Sequence, residues 1–258
     1  MEKGIYFYSS FDLKQDQALQ IYFDHGFKNI GLYWKDDFKQ SLALYHDAKK
    51  VGFEVVAIHG PFKRTGDIWR YNLKGLQYFH LVKKYIKLMG KLGISTLVLH
   101  SYDKKPFKST KLGLNRFKKL VALCKKNQVT LAVENLRTID HMEFLLEQIQ
   151  DDHFKFCLDF GHANVWLLKP IELLNKHGKR LHTVHISDND GEKDYHLIPG
   201  DGTMDWKVLM KELKKYYHGP IMLEVDNFKH PEIRYPDLDT YAKKAMQGLE
   251  LLQTYFEE

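Results

Sequence analysis

Short apolar runs alternate with longer stretches of helical periodicity from one end of the 258-residue chain to the other, and this alternation restricts the fold more than any other feature. The strand-like runs fall at residues 4–10, 29–34, 54–61, 95–101, 130–136, 155–160, 182–187 and 220–225. Each is compact and nearly all apolar, as expected of a parallel strand buried on both faces. Residues 16–26, 38–51, 71–92, 112–127, 142–150, 170–177, 206–217 and 240–256 lie between or after them and carry apolar side chains at helical spacing. Leu76, Phe79, Val82 and Ile86 are one such row. Gly26, Gly52 and Gly93 follow helical runs, where a left-handed residue commonly ends a helix before the next strand.

Eight strand–helix units close naturally into a (β/α)8 TIM barrel, because right-handed crossovers return each strand parallel to the last. A doubly wound open sheet would use fewer strands and a glycine-rich first turn, and neither a GxGxxG nor a Walker A sequence is present. No Pro- or Gly-rich linker breaks the alternation, so residues 1–258 are expected to form a single barrel domain.

The composition agrees with a large core in a water-soluble protein: 44% of residues are hydrophobic, and mean hydropathy is -0.44. No apolar run approaches the roughly 20 residues of a membrane span, and the opening MEKGIYFYSS lacks a signal-peptide pattern. Cys124 and Cys157 fall in a helical and a strand-like segment, which predicts two buried thiols in a reducing cytoplasm. The net charge of +6 favours anionic partners, phosphorylated small molecules or nucleic acid. The lysines are spread along helices as in KKYIKLMGK, however, and a solvated outer face accounts for most of them.

Chemistry in a barrel belongs at the C-terminal ends of the strands. Six of the eight strand-like runs end there in side chains able to bind metal: His59, His100, Glu134, Asp159 with His162, His185 with Asp188, and Glu224. Each follows a run of apolar residues, where an unpaired ion costs several kcal/mol, on the order of its lost hydration. A cation shared by several of them removes that cost, and mixed carboxylate and imidazole ligands suit Zn²⁺, Mn²⁺, Co²⁺ or Fe²⁺. Any one of these histidines alone would read as a hydrogen-bonded core residue; the barrel, by bringing the ends to one rim, favours the shared ion. After the seventh strand, Asp194 and His196 alternate like ligands on a loop with Gly200 and Gly202, and Asp205 is placed to cap the helix from Trp206.

Taken together, VEN with Glu134, LDFGH with Asp159 and His162, VHISDND with His185, DYHLIPGDGTMDW, and LEV with Glu224 resemble the xylose isomerase-like superfamily. That superfamily holds sugar-phosphate isomerases and epimerases and the endonuclease IV type of AP endonuclease. The resemblance implies one divalent metal, Mn, Co, Zn or Mg, held by Glu134, Asp159, His185 and Glu224. It further implies that Glu134 and Glu224 are the catalytic acid/base pair, exchanging protons with a sugar, sugar phosphate or related polyol ketone through an enediolate. His100 and His162 would place substrate oxygens, and Arg137 would neutralise a phosphate or the enediolate, a surface salt bridge being the plainer account of it.

The endonuclease branch implies a different outcome, a three-zinc site acting on abasic DNA. Candidates for all of its ligands are present in His59, His100, Glu134, Asp159, His162, His185, Asp194, His196 and Glu224. The flanking segments HGPFKRTGDIW, HSYDKKPF and LDFGHANVW depart from that branch, and Lys63, Arg64, Lys104, Lys105 and Lys108 make only a modest basic rim. The expected activity is therefore a cytoplasmic sugar isomerase or epimerase with a small-molecule substrate. The alternatives are the endonuclease and a non-catalytic sugar-binding barrel. Self-association into a homo-oligomer stays open.

Overall fold

A computed structural model describes residues 2–8, 11–102 and 108–258. Ser9 and Ser10 of the first expected strand, and Lys104 and Lys105 of the basic rim, lie outside the described residues. The strands are β1 (Lys3–Tyr6), β2 (Asn29–Tyr33), β3 (Glu54–His59), β4 (Thr96–His100), β5 (Thr130–Glu134), β6 (Phe154–Asp159), β7 (Leu181–His185) and β8 (Ile221–Leu223). The helices are α1 (Gln15–Asp24), α2 (Phe38–Val51), α3 (Leu73–Leu92), α4 (Lys111–Lys126), α5 (Asp140–Gln148), α6 (Phe160–Val165), α7 (Pro170–His177), α8 (Trp206–Leu213) and α9 (Leu238–Glu257).

One sheet runs in the order β7-β6-β5-β4-β3-β2-β1-β8, with parallel pairing. Its first and last strands meet: the Ile186 amide donates to Met222 O at 2.9 Å, and the Glu224 amide to Ile186 O at 2.9 Å. The result is a nearly closed (β/α)8 barrel.

The chain falls into two compact units, Met1–Leu32 with Leu42–Val55 and Leu158–Glu258, and Tyr33–Ser41 with Val56–Cys157. In the second unit, Leu97, Val98 and Leu99 of β4 and Leu131, Ala132 and Val133 of β5 are all buried, and Val98, Ala132 and Cys157 pack as one cluster. Buried faces of this kind are what the aliphatic runs demand. Asn72 caps α3 by accepting from the Gly75 amide at 2.7 Å, and Gly93 ends the helix at φ 73°, a conformation open to glycine without a Cβ clash. Gly26 and Gly52 likewise have positive φ.

In the first unit the expected Asp205 cap is present, its carboxylate accepting from the Val208 amide. The excursion between β7 and α8 is organised by Asp188, which is fully buried. Its carboxylate accepts from the Gly200 amide at 2.9 Å, the Met204 amide at 3.2 Å and the Trp206 indole at 2.7 Å, while its backbone pairs with Leu197 in both directions at 2.8 Å. Asp188 was expected among the metal-capable strand ends, yet its acceptor capacity is taken up inside the loop. Asn189 continues the anchor, donating to Gly161 O at 3.0 Å and accepting from Asn164 at 2.7 Å.

The strands end earlier than expected, because the last residues of each run already turn into the loops. Helix α6 was not expected. The β6 run passes into it without a break, Asp159 acting as both strand end and N-cap. Helix α8 stops at Leu213 and not Tyr217, the amides of Tyr216 and Tyr217 both returning to Leu213 O as the turn tightens before Gly219.

Two substitutions test these contacts. Helix α4 approaches Trp69 so closely that a Cβ on Gly113 would lie 2.1 Å from the ring, and the indole is tied to Ser101 O at 2.7 Å. Gly113→Ala is expected to cost about 1–3 kcal/mol, read from the urea midpoint; an unchanged midpoint would show that the ring yields freely. Asp188→Ala strands buried donors and is expected to cost about 2–4 kcal/mol. It should also open the 189–205 loop to limited proteolysis, and a loop as resistant as in the parent protein would remove Asp188 from its anchoring role.

Candidate metal centre

Strands β3, β4 and β5 each end on a ligand-capable residue: His59, His100 and Glu134. The register pairs His100 with Glu134 and His59 with Val98. Side chains two residues apart share a face, so His100 projects on the same side as the partner of His59. Glu134 Oε2 lies 3.2 Å from His59 Nε2 and 3.1 Å from His100 Nε2. His59 Nδ1 donates to Gly60 O at 2.8 Å. A carbonyl only accepts, so that nitrogen carries the ring's proton, and the Nε2 lone pair of a neutral His59 points at a carboxylate oxygen. That arrangement is repulsive unless a proton or a metal ion stands between them. Phe62 lies across the two imidazoles, its centroid 5.9 Å from His59 and 6.1 Å from His100.

In the other unit, Asp159, His185 and Glu224 come from the ends of β6, β7 and β8. His185 Nδ1 is 3.0 Å from Glu224 Oε2 and 3.9 Å from Asp159 Oδ2. Asp159 and His185 are completely buried, and Glu224 is 6% exposed. One proton on Nδ1 can serve only one of two carboxylates, whereas a divalent ion would balance both. This donor set fits Mn²⁺, Co²⁺ or Zn²⁺ on chemistry as well as burial. Tyr6 packs edge-on against the His185 ring at 4.6 Å, which holds its orientation.

A third group lies in the same unit. His162 Nε2 and His196 Nε2 lie 3.7 Å and 3.0 Å from Asp194 Oδ2. The three ligand atoms of His162, Asp194 and His196 fall within 4.8 Å of one another, as do those of His59, His100 and Glu134. His196 Nδ1 donates to Glu224 O at 2.7 Å, and the residue holds a left-handed backbone, φ 52°, that a β-substituted residue adopts at a cost. Burial acts to raise the Asp194 carboxyl, but His196, His162 and Lys229 outweigh it and hold the group well below the usual carboxylate range. Burial acts to lower the His196 imidazole, and Asp194 reverses that and raises it.

The ligand candidates therefore appear as groups within each unit, buried except for the half-buried His100 and Asp194. Arg137 stands apart on the exposed surface after β5. Three neighbours had no role in the sequence reading. Phe62 follows His59 by three residues, and Trp166 lies tilted against His162 at 4.6 Å, capping a helix that the strand pattern concealed. Lys229 gave no local signal at all, since its partner Asp194 is distant in sequence. Among the described residues no helix is long and apolar enough to cross a membrane, and both cysteines are free and buried.

Comparison with known proteins agrees with this architecture. An uncharacterised protein of Sinorhizobium fredii is 32% identical over 170 residues, 60% of this chain and 53% of the relative. A fructoselysine 3-epimerase of Escherichia coli O157:H7 is 33% identical over 79 residues, 30% of this chain and 27% of the relative. The chain thus spans about half or less of these curated relatives. A solved L-ribulose 3-epimerase superposes with a TM-score of 0.78 at 19% identity, over 99% of this chain and 95% of the other; at that identity the likeness speaks for the fold alone. Residues 17–254 match the family described as xylose isomerase-like TIM barrel, and the chain belongs to that family.

Proposed function

We propose that this chain is a divalent-metal-dependent epimerase or isomerase of a sugar, sugar phosphate or related polyol ketone, working as a single barrel domain. The observation that carries the reading is the pair of buried glutamates at strand ends, each set against imidazole: Glu134 against His59 and His100, Glu224 against His185. The reading is supported by the names of a relative and of a solved neighbour, a fructoselysine 3-epimerase and an L-ribulose 3-epimerase.

Glu134, Asp159, His185 and Glu224 would hold the ion. A divalent cation held there would supply a Lewis acid that stabilises negative charge on substrate oxygen and so acidifies the hydroxyl-bearing carbon next to the carbonyl. The protein's own groups then do the proton work. Glu134 removes the proton α to the carbonyl at a carboxylate oxygen, and Glu224 delivers a proton to the resulting enediolate; the two exchange roles in the reverse direction. His59 and His100 flank Glu134 at 3.2 Å and 3.1 Å. His162, backed by Trp166, orients a substrate hydroxyl, and Arg137 meets a phosphate if the substrate carries one.

A second reading is favoured by one observation, the His162–Asp194–His196 group. Added to the histidines around Glu134, it supplies the ligands for a multi-zinc nuclease acting on abasic DNA.

The test is exchange of solvent deuterium into the carbon beside the ketone across a panel of ketoses and ketose phosphates, followed by NMR. Exchange should appear with Mn²⁺ or Co²⁺, vanish on chelation and return on re-addition. Glu134→Gln and Glu224→Gln should each lower it by roughly 100-fold to 10,000-fold, the range of a positioned acid or base, with an unchanged thermal melt. Full exchange in either variant would end that residue's assignment. Cleavage of abasic DNA with about three bound zinc ions, and no exchange in any ketose, would replace the epimerase reading with the nuclease.

A further inference from the structure

The third group has a neighbour that changes what it can bind. Lys229, on the loop after β8, places Nζ 3.4 Å from Asp194 Oδ2, the same oxygen that faces His196 Nε2 at 3.0 Å and His162 Nε2 at 3.7 Å. Asp194 is the one carboxylate in that group. A divalent ion settling between the two imidazoles would depend on it for charge, and an ammonium already lies against the oxygen that ion needs. The Asp159–His185–Glu224 group differs, setting two carboxylates about one imidazole.

We propose that Lys229 serves as a built-in cation at the His162–Asp194–His196 group, keeping a second divalent ion out and leaving Asp194 and His196 to brace Glu224. The bracing is visible in the backbone. His196 Nδ1 donates to Glu224 O at 2.7 Å, and the Asp226 amide donates back to His196 O at 2.8 Å. Asp194 fixes the far side of the same ring, and Lys229 balances Asp194. Held in this way, His196 clamps the chain on both sides of Val225 and so fixes the backbone from which Glu224 projects.

The replacement of one cation by another is reciprocal: what the ammonium contributes to Asp194, an incoming ion must first displace. Lys229 is exposed, so its removal leaves the core intact. Lys229→Met keeps most of the aliphatic stem and removes only the charge. In that variant the group presents one carboxylate and two imidazoles, a set well suited to zinc. Zinc affinity at the group is expected to rise by roughly tenfold or more.

The inference uses the metal reading above only to choose zinc as the probe, and the two can fail separately. Metal-stripped parent protein, Lys229→Met and Lys229→Arg are titrated with Zn²⁺, and bound metal is counted by elemental analysis after gel filtration. The expected result is one more ion in Lys229→Met than in the parent, with Lys229→Arg matching the parent. Adding Asp194→Asn to Lys229→Met should remove the additional ion. Equal counts in the parent and Lys229→Met, whether none, one or three, overturn the inference. No ion in the parent but one in Lys229→Met sinks the central carboxylate site and leaves the role of Lys229 standing. One ion in both does the reverse.

Discussion

Keeping a carboxylate charged among aliphatic side chains costs several kcal/mol, on the order of its lost hydration, unless opposite charge meets it. Glu134 and Asp159 bear that cost at 1% and 0% exposure, and the arrangement around each strand end follows from it. Imidazoles stand against both, from His59 and His100 in one unit and from His185 in the other. An imidazole whose Nδ1 proton is committed to a carbonyl, as in His59 and His196, can answer a carboxylate only through a second proton or a metal ion. The same hydrogen bond that fixes the tautomer therefore prepares the ring as a ligand.

The barrel scaffold and its loops divide the task of positioning. Parallel register sets His100 beside Glu134, and that alignment needs no long-range side-chain contact. Asp194 and His196 depend instead on a loop folded around a buried carboxylate, Asp188, whose bonds reach forward to Gly200, Met204 and Trp206. Rigid strands thus carry the donors at the strand ends, while a polar hub holds the group that is open to modification by a neighbour such as Lys229. Function in barrels varies through loops for this reason: they alter the surroundings of the strand ends without disturbing the core.

Much of this was legible without coordinates. Strand-end positions for His59, His100, Glu134, Asp159, His185 and Glu224 followed from the strand-like runs that they close, since such runs are buried on both faces. The Asp205 cap and the glycines at 26, 52 and 93 followed from local stereochemistry. Helix α6 was not legible. Its six residues are too few to show a period, and Asp159 closes a strand and opens a helix at once. Asp188 looked like a further ligand, since sequence places a carboxylate at a strand end but does not say which way χ1 turns it.

Local pattern, then, determined the eightfold strand–helix alternation and the residue types at the strand ends, since periodicity and burial are properties of neighbouring residues. The tertiary structure alone decided which donors meet, that Asp188 turns into its own loop, and that Lys229 reaches Asp194 across 35 positions of sequence. Those outcomes depend on distances between segments remote in the chain, and at 3 Å a charge pair is set by backbone path and rotamer, neither of which composition or spacing records.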